Sequence, residues 1–273
     1  MSLQFIMGNS GSGKSYCLYD TVVREAIENP DKNYLVIVPE QFTMQTQKDL
    51  CLAHPKGGIM NIDVLSFGRL AYRVFEEVGQ DARVVLDDEG KNLVLRKIAG
   101  ECEKDLKVFK GNLKKQGYIS EVKSVLSEFA QYGVDFERLD DFMKEVAPES
   151  YLHYKLDDIR TIYEKFEEYL SEKYITKEEM LDVLSDAVPY SDILKGSVVA
   201  MDGFTGFTPV QNRLIGELFS VCEKVMITVT MDGRENPYVY EHPYQIFALG
   251  KQMVTSLMKI AGEKKTEIEE PIC

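Results

Sequence analysis

The apolar positions of this chain gather into five short runs: Leu3–Met7, Tyr34–Pro39, Asn61–Phe67, Ser197–Gly203 and Lys224–Met231. Most are nearly continuous in Val, Ile, Leu and Met rather than alternating with polar residues, so they read as strands buried on both faces, the pattern of a parallel sheet covered by helices. The polar–apolar pattern predicts helices over Lys14–Glu28 and Thr43–Ala53, between the first three runs. A third helix, Gly68–Val78, places Leu70, Ala71, Val74, Phe75 and Val78 on one face, as an amphipathic helix requires.

The pattern then changes. Between about residue 80 and residue 195 no strand signal is found. Ile119, Val122, Leu126 and Phe129 recur at helical spacing, as do Leu152, Leu156, Ile159, Tyr163, Phe166 and Leu170, each marking an amphipathic helix. Long connections seldom lack structure of their own. The predicted fold class is therefore α/β, a parallel sheet with helices on both faces, interrupted by an all-helical insertion. Its parts are 1–80 (first part of the core), 81–195 (insertion) and 196–273 (second part of the core). After the fourth run, Thr208 is the expected N-cap of a helix with Pro209 at its first position, where the missing proline N–H is harmless. The tail, ending Glu-Glu-Pro-Ile-Cys, shows no closing element, which suggests a piece of a longer chain.

The 273 residues are 44% hydrophobic and 28% charged, ordinary for a globular protein. No run approaches the roughly 18–20 apolar residues of a membrane span. The N-terminus lacks a basic segment and runs straight into a glycine loop, unlike a signal peptide, so a cytoplasmic protein without membrane contact is expected. Cys17, Cys51, Cys102, Cys222 and Cys273 show no metal spacing and fit reduced thiols. The net charge of −13 argues against a free-standing, non-specific nucleic-acid binder. It leaves room for a local contact, or for DNA held together with a partner.

Chemistry enters with Gly8-Asn9-Ser10-Gly11-Ser12-Gly13-Lys14-Ser15, a full match to G-x-x-x-x-G-K-[ST] between a strand and a helix. The glycines let backbone N–H groups wrap phosphates at a helix N-terminus. Lys14 would reach the β- and γ-phosphates, and Ser15 would place its hydroxyl on Mg²⁺. ATP and Mg²⁺ are the expected ligands. Such a loop needs an acidic residue at the end of another strand. Asp202 is the candidate for the Mg²⁺ side, although an aspartate before a glycine also opens ordinary turns. Asp232, directly after the fifth run, would belong to a γ-phosphate sensor region or, more simply, open a strand-end turn with Gly233. ATPases of the helicase type usually follow the first aspartate with a glutamate that positions the attacking water. Here Gly203 follows, and Phe204–Pro209 holds no carboxylate. General-base assistance supplies roughly 10²–10⁴-fold, so weak or absent hydrolysis is expected, and no residue is assigned as catalytic beyond Asp202 as a Mg²⁺-associated candidate.

Three further segments carry a resemblance. Val38-Pro39-Glu40-Gln41-Phe42-Thr43, Val64-Leu65-Ser66-Phe67-Gly68-Arg69-Leu70 and Met201-Asp202-Gly203-Phe204-Thr205-Gly206-Phe207-Thr208-Pro209-Val210-Gln211 resemble, in order, segments of the AddB/RexB family, whose N-terminal part is a UvrD-like superfamily-one P-loop domain. The opening Leu3–Gly8 joined to the P-loop is similar too. The resemblance implies a RecA-like helicase sheet and a subunit of an ATP-dependent helicase–exonuclease that repairs and recombines DNA at double-strand breaks. Its partner would be an AddA-type motor subunit. It would meet single- and double-stranded DNA, with a part in handling the Chi sequence. The nuclease domain and its iron–sulfur cluster would lie outside these residues. In this class a glutamine upstream of the P-loop reads adenine; with seven residues before Gly8, selectivity for adenine is not expected to follow from the motif.

Candidate DNA contacts follow the second and third strands: Gln41, Phe42 and Thr43, then Ser66, Phe67 and Arg69. An aromatic beside polar groups can stack a base; Phe42 and Phe67 equally suit core packing, and Arg69 suits a phosphate contact or an ion pair. Lys104, Lys107, Lys110, Lys114 and Lys115 form a basic cluster in the insertion that would meet duplex DNA or simply face solvent. Two other functions are compatible with the pattern. A P-loop small-molecule or nucleotide kinase needs arginines over the transferred phosphoryl group, where Arg160 and Arg213 stand isolated. A structural P-loop scaffold needs no nucleotide, against which the intact Lys14 and Ser15 weigh.

Overall fold

The computed structural model describes residues 1–79, 83–113, 115–171, 173–232 and 234–272. In order, its elements are β1 (Ser2–Gly8), α1 (Lys14–Glu28), β2 (Tyr34–Ile37), α2 (Thr43–Ala53), β3 (Ile62–Leu65), α3 (Phe67–Val78), β4 (Val84–Leu86), α4 (Asp88–Cys102), α5 (Gln116–Tyr132), α6 (Phe136–Glu145), α7 (Tyr151–Leu170), β5 (Tyr174–Thr176), α8 (Glu179–Ala187), β6 (Val198–Met201), α9 (Pro209–Val221), β7 (Lys224–Thr230), α10 (Ala248–Glu263) and β8 (Glu267–Ile268). The chain divides into two compact units, Met1–Gln80 with Leu181–Cys273, and Asp81–Met180. Residues 181–195, which the sequence pattern groups with the insertion, therefore fall with the sheet. One reason is Glu77 of α3, whose carboxylate accepts the Ile193 N–H at 2.8 Å.

The first unit is a six-stranded sheet in the order β3-β2-β6-β7-β1-β8, parallel throughout. Tyr34–Ile37 and Val198–Met201 are buried at every position, which is why their apolar runs show no alternation. One layer of core joins Ile6, Val36, Ala200 and Met226 of the sheet to Leu18, Val22 and Ala26 of α1.

Two further features differ from the sequence expectation. The tail does close the sheet: β8 pairs with β1, and Ile272 continues alongside it, its N–H bonding Phe5 O at 2.9 Å and its carbonyl accepting Met7 N–H at 2.7 Å. Two strand residues and one bridge are too few for a hydrophobic period to register. Likewise the insertion is not all-helical. Besides α4, α5, α6 and α7 it holds a parallel pair of three-residue strands, β4 and β5.

The second unit builds its own core from Leu95, Ile98, Ile119, Leu126, Ile159, Ile162 and Phe166. Asp158 is buried within it. Its carboxylate accepts the backbone N–H groups of Lys107, Val108 and Phe109 at 2.8, 2.7 and 2.8 Å, fixing the turn before α5. Lys91, also buried, is neutralised by Glu178 at 2.6 Å, as a buried cation must be.

Candidate functional site

The motif residues form the connection between β1 and α1. Gly8 closes the strand, and a side chain there would collide with Ser12. Gly11 and Gly13 hold φ of 78° and 90°, the left-handed region that glycine enters without penalty. Asn9 to Gly13 are exposed, as is Ser15. Ser66, Asp87, Asp135, Ser150 and Thr208 cap α3, α4, α6, α7 and α9 with their side chains, whereas α1, like α2, α5 and α10, starts with no side-chain cap, its N-cap being Gly13. Its first N–H groups are open donors at the positive end of the helix dipole, the arrangement that receives anions. The Lys14 ammonium donates to Asn9 O at 2.7 Å. Partial burial lowers its pKa, while the negative charge of Asp202 opposes that shift.

Asp202 directly follows β6, which lies two strands from β1 with β7 between. Two interstrand spacings amount to about 10 Å. Asp202 is 7% exposed. Tyr19 of α1 donates its hydroxyl to Oδ2 at 2.8 Å and Thr228 of β7 donates to Oδ1 at 2.6 Å. Burial pushes the Tyr19 phenol well above its ordinary range, with the Asp202 charge adding to the shift, so it stays a protonated donor. Tyr19 also sits 3.3 Å from Thr46 Oγ1 on α2. The sequence pattern does not single out these hydroxyls. The signal that would find Tyr19 is its position four residues after Ser15, on the same helix face; Thr228, from a different element, leaves none.

Gly203 carries φ of 80° and faces Pro39 and the Phe42 ring. Behind it, Phe67, Phe204 and Phe207 form a ring cluster, with centroids 5.4 Å apart for Phe67–Phe204 and 5.2 Å for Phe204–Phe207. Of the six candidate DNA-contact residues, Gln41, Phe42 and Arg69 face outward, while Thr43, Ser66 and Phe67 are buried. Thr43 donates to Glu40 O at 3.0 Å. Ser66 donates to the Glu40 carboxylate and caps α3, and Arg69 pairs with the same carboxylate at 3.4 Å. Asp232 is held at the strand end by Arg234, whose hydrogen bonds lower its pKa to about 2.

In the second unit, Lys107 pairs with Asp157 at 3.1 Å and lies 4.6 Å over the Tyr154 ring, and Lys115 lies 5.9 Å over Tyr118. Lys114 of the same cluster lies outside the described residues. Arg160 is engaged by Asp140 at 2.6 Å. In the sheet unit Arg213 is engaged by Asp182 and Asp186, each at 2.6 Å.

A Gly-rich loop from strand to uncapped helix, set on a parallel sheet with an acidic strand end beside it, defines a P-loop α/β domain. Within that class the chain belongs to the AddB N-terminal family: residues 5–273 match the family described as "ADDB, N-terminal". It is 47% identical over 274 residues to an ATP-dependent helicase/deoxyribonuclease subunit of Lachnoclostridium phytofermentans, covering 100% of this chain and 24% of that protein. Subunits of the same name from Clostridium tetani and Thermoanaerobacter pseudethanolicus are 34% and 35% identical, covering 100% of this chain and 24% and 23% of theirs. The chain thus spans about a quarter of the length of these relatives. Among the described residues, no helix is long and apolar enough to cross a membrane.

Proposed function

We propose that this chain is the nucleotide-binding, helicase-like domain of a helicase–nuclease subunit acting in DNA double-strand-break repair and recombination. It holds Mg-ATP between Gly8–Ser15 and Asp202 and hydrolyses it weakly or not at all. The observation that carries this reading is the pairing of an open, uncapped α1 N-terminus bearing Lys14 and Ser15 with a strand end where Asp202 is followed by Gly203. Phosphates would take the free N–H groups and Lys14, and the cation would lie between Ser15 and Asp202. No carboxylate follows to activate water. The relatives' name, a helicase/deoxyribonuclease "subunit", supports an AddA-type partner that supplies the motor, with DNA passing between them. Gln41 and Phe42 are then the outward contacts to single-stranded DNA, the part concerned with Chi, beside an Arg69 that Glu40 engages. Kinase chemistry is disfavoured by the ion pairs that occupy Arg160 and Arg213.

The test is a titration of the chain with Mg-ATP that follows binding and phosphate release together. Binding without turnover, weakened at least about tenfold by Lys14→Ala through loss of a charge-assisted contact, is the expected result. Turnover at motor rates would defeat the weak-hydrolysis claim. Absence of binding would defeat the nucleotide claim and leave a scaffold.

A further inference from the structure

Asp202 is placed by two hydroxyl groups from two different elements. Tyr19 reaches it from α1, one helical turn beyond Ser15, and Thr228 reaches it from β7. Each occupies one carboxylate oxygen, and each oxygen has a second lone pair to offer. A carboxylate rotates freely about its terminal bond; bonds on both oxygens, at 2.8 and 2.6 Å, fix its plane. Tyr19 is itself half-buried and touches Thr46 of α2, so its ring is steadied from a third side. The same helix carries Lys14 and Ser15 at its start.

We infer that Tyr19 is a positioning residue for the cation: by locking Asp202 and tying it to the helix that begins with Lys14 and Ser15, it makes nucleotide binding at this site depend on Mg²⁺. This inference rests on the nucleotide reading proposed above. Its chemistry is specific. Waters on a bound Mg²⁺ are donors, and they need acceptors held in fixed directions, because the ion tolerates only near-octahedral geometry. A freely turning Asp202 would meet that demand poorly. The phosphates are held by the loop and by Lys14, which Tyr19 does not touch, so the metal-free affinity is independent of it.

The experiment measures ATP affinity of the whole chain twice, with Mg²⁺ and with the metal chelated by EDTA. It does so for the unmutated chain, Tyr19→Phe, Asp202→Asn and the double variant. Tyr19→Phe keeps the ring and its packing. It is expected to leave the metal-free affinity within about twofold and to reduce the Mg²⁺-dependent gain about tenfold, the size of one hydrogen bond to a charged group. The double variant should match Asp202→Asn, because Tyr19 acts only through that carboxylate. An unchanged Mg²⁺ gain in Tyr19→Phe overturns the inference while leaving the nucleotide site intact. An equal loss with and without metal also overturns it, and marks Tyr19 as a packing residue. Failure of the unmutated chain to bind ATP brings down the nucleotide reading itself, and is recognised without any variant.

Discussion

At the scale of single residues, Gly203 decides more than the absence of a carboxylate. Its φ of 80° belongs to a region where a side chain costs on the order of 1–2 kcal/mol. A glutamate installed there would either strain the backbone or swing the loop, and its Cβ would start against Pro39 and the Phe42 ring. Gly203→Glu is therefore expected to leave phosphate release near background and to lower the thermal midpoint by a few degrees, as about 1–2 kcal/mol implies. Phosphate release rising a hundredfold would show that only the carboxylate is missing. The same residues show what a sequence can disclose of a site. Gly8–Ser15 is contiguous, and its chemistry is carried by spacing alone; Asp202 is legible because it directly follows a strand. The hydroxyls of Tyr19 and Thr228 are not. They meet Asp202 only after α1 and β7 have packed beside β6, and nothing local to Thr228 announces that. Ser66 and Phe67 illustrate the converse: both are candidate contacts by position, yet a cap and a ring cluster hold them inward.

At the scale of elements, legibility follows length and capping. The bounds of α1 and α2 coincide with those the pattern predicts, and α9 begins at Pro209 behind the Thr208 cap. Each is long enough for a helical period to register, and α9 carries its own start signal. Strands β4, β5 and β8 escape because two or three residues make no period, and their partners lie far away in sequence. The second unit depends on interactions of this long-range kind. Asp158→Ala would strand three backbone donors that now share one carboxylate. A loss of about 3 kcal/mol is expected, readable as a lower urea midpoint, whereas a loss under about 0.5 kcal/mol would mean that water replaces the carboxylate freely. Glu167 of α7 gives this unit a pH dependence. Burial, with the Glu179 charge as a further cause, raises its pKa from 4.5 to about 7. The folded form thus binds the proton more tightly than the unfolded form. The stabilisation is complete below about pH 4.5 and is lost as pH rises through about 7. Because the side chain is partly exposed, screening limits the effect to about 1 kcal/mol. Glu167→Gln should abolish it, so that the thermal midpoints of the two proteins converge near pH 4.5 and separate at pH 8 with the variant higher. Parallel curves across that range would refute the assignment.

At the scale of the whole molecule, the charge of −13 constrains how DNA could be held. Phosphate neutralisation dominates ordinary nucleic-acid binding, and its signature is a fall in log affinity of about 0.7 per phosphate for each tenfold rise in salt on single strands. Several of the cations that could meet phosphate are already committed: Lys107 to Asp157, Arg69 to Glu40, Arg213 to Asp182 and Asp186. What faces outward beside the candidate site is instead Gln41 and a Phe42 ring that is 47% exposed. A contact of that composition works by stacking, worth roughly 1–3 kcal/mol per base, and stacking displaces few counterions. The chain by itself is therefore expected to bind an oligonucleotide weakly, with a salt slope of magnitude below about 2, equivalent to no more than about three phosphates. Phe42→Ala should weaken that binding about tenfold, while Lys107→Ala should change it by less than about twofold. Anisotropy titrations of a labelled single strand at several salt concentrations separate the alternatives. A steep slope that Lys107→Ala flattens would move the contact to the basic cluster of the second unit, and would remove the reason to place DNA beside Asp202 at all.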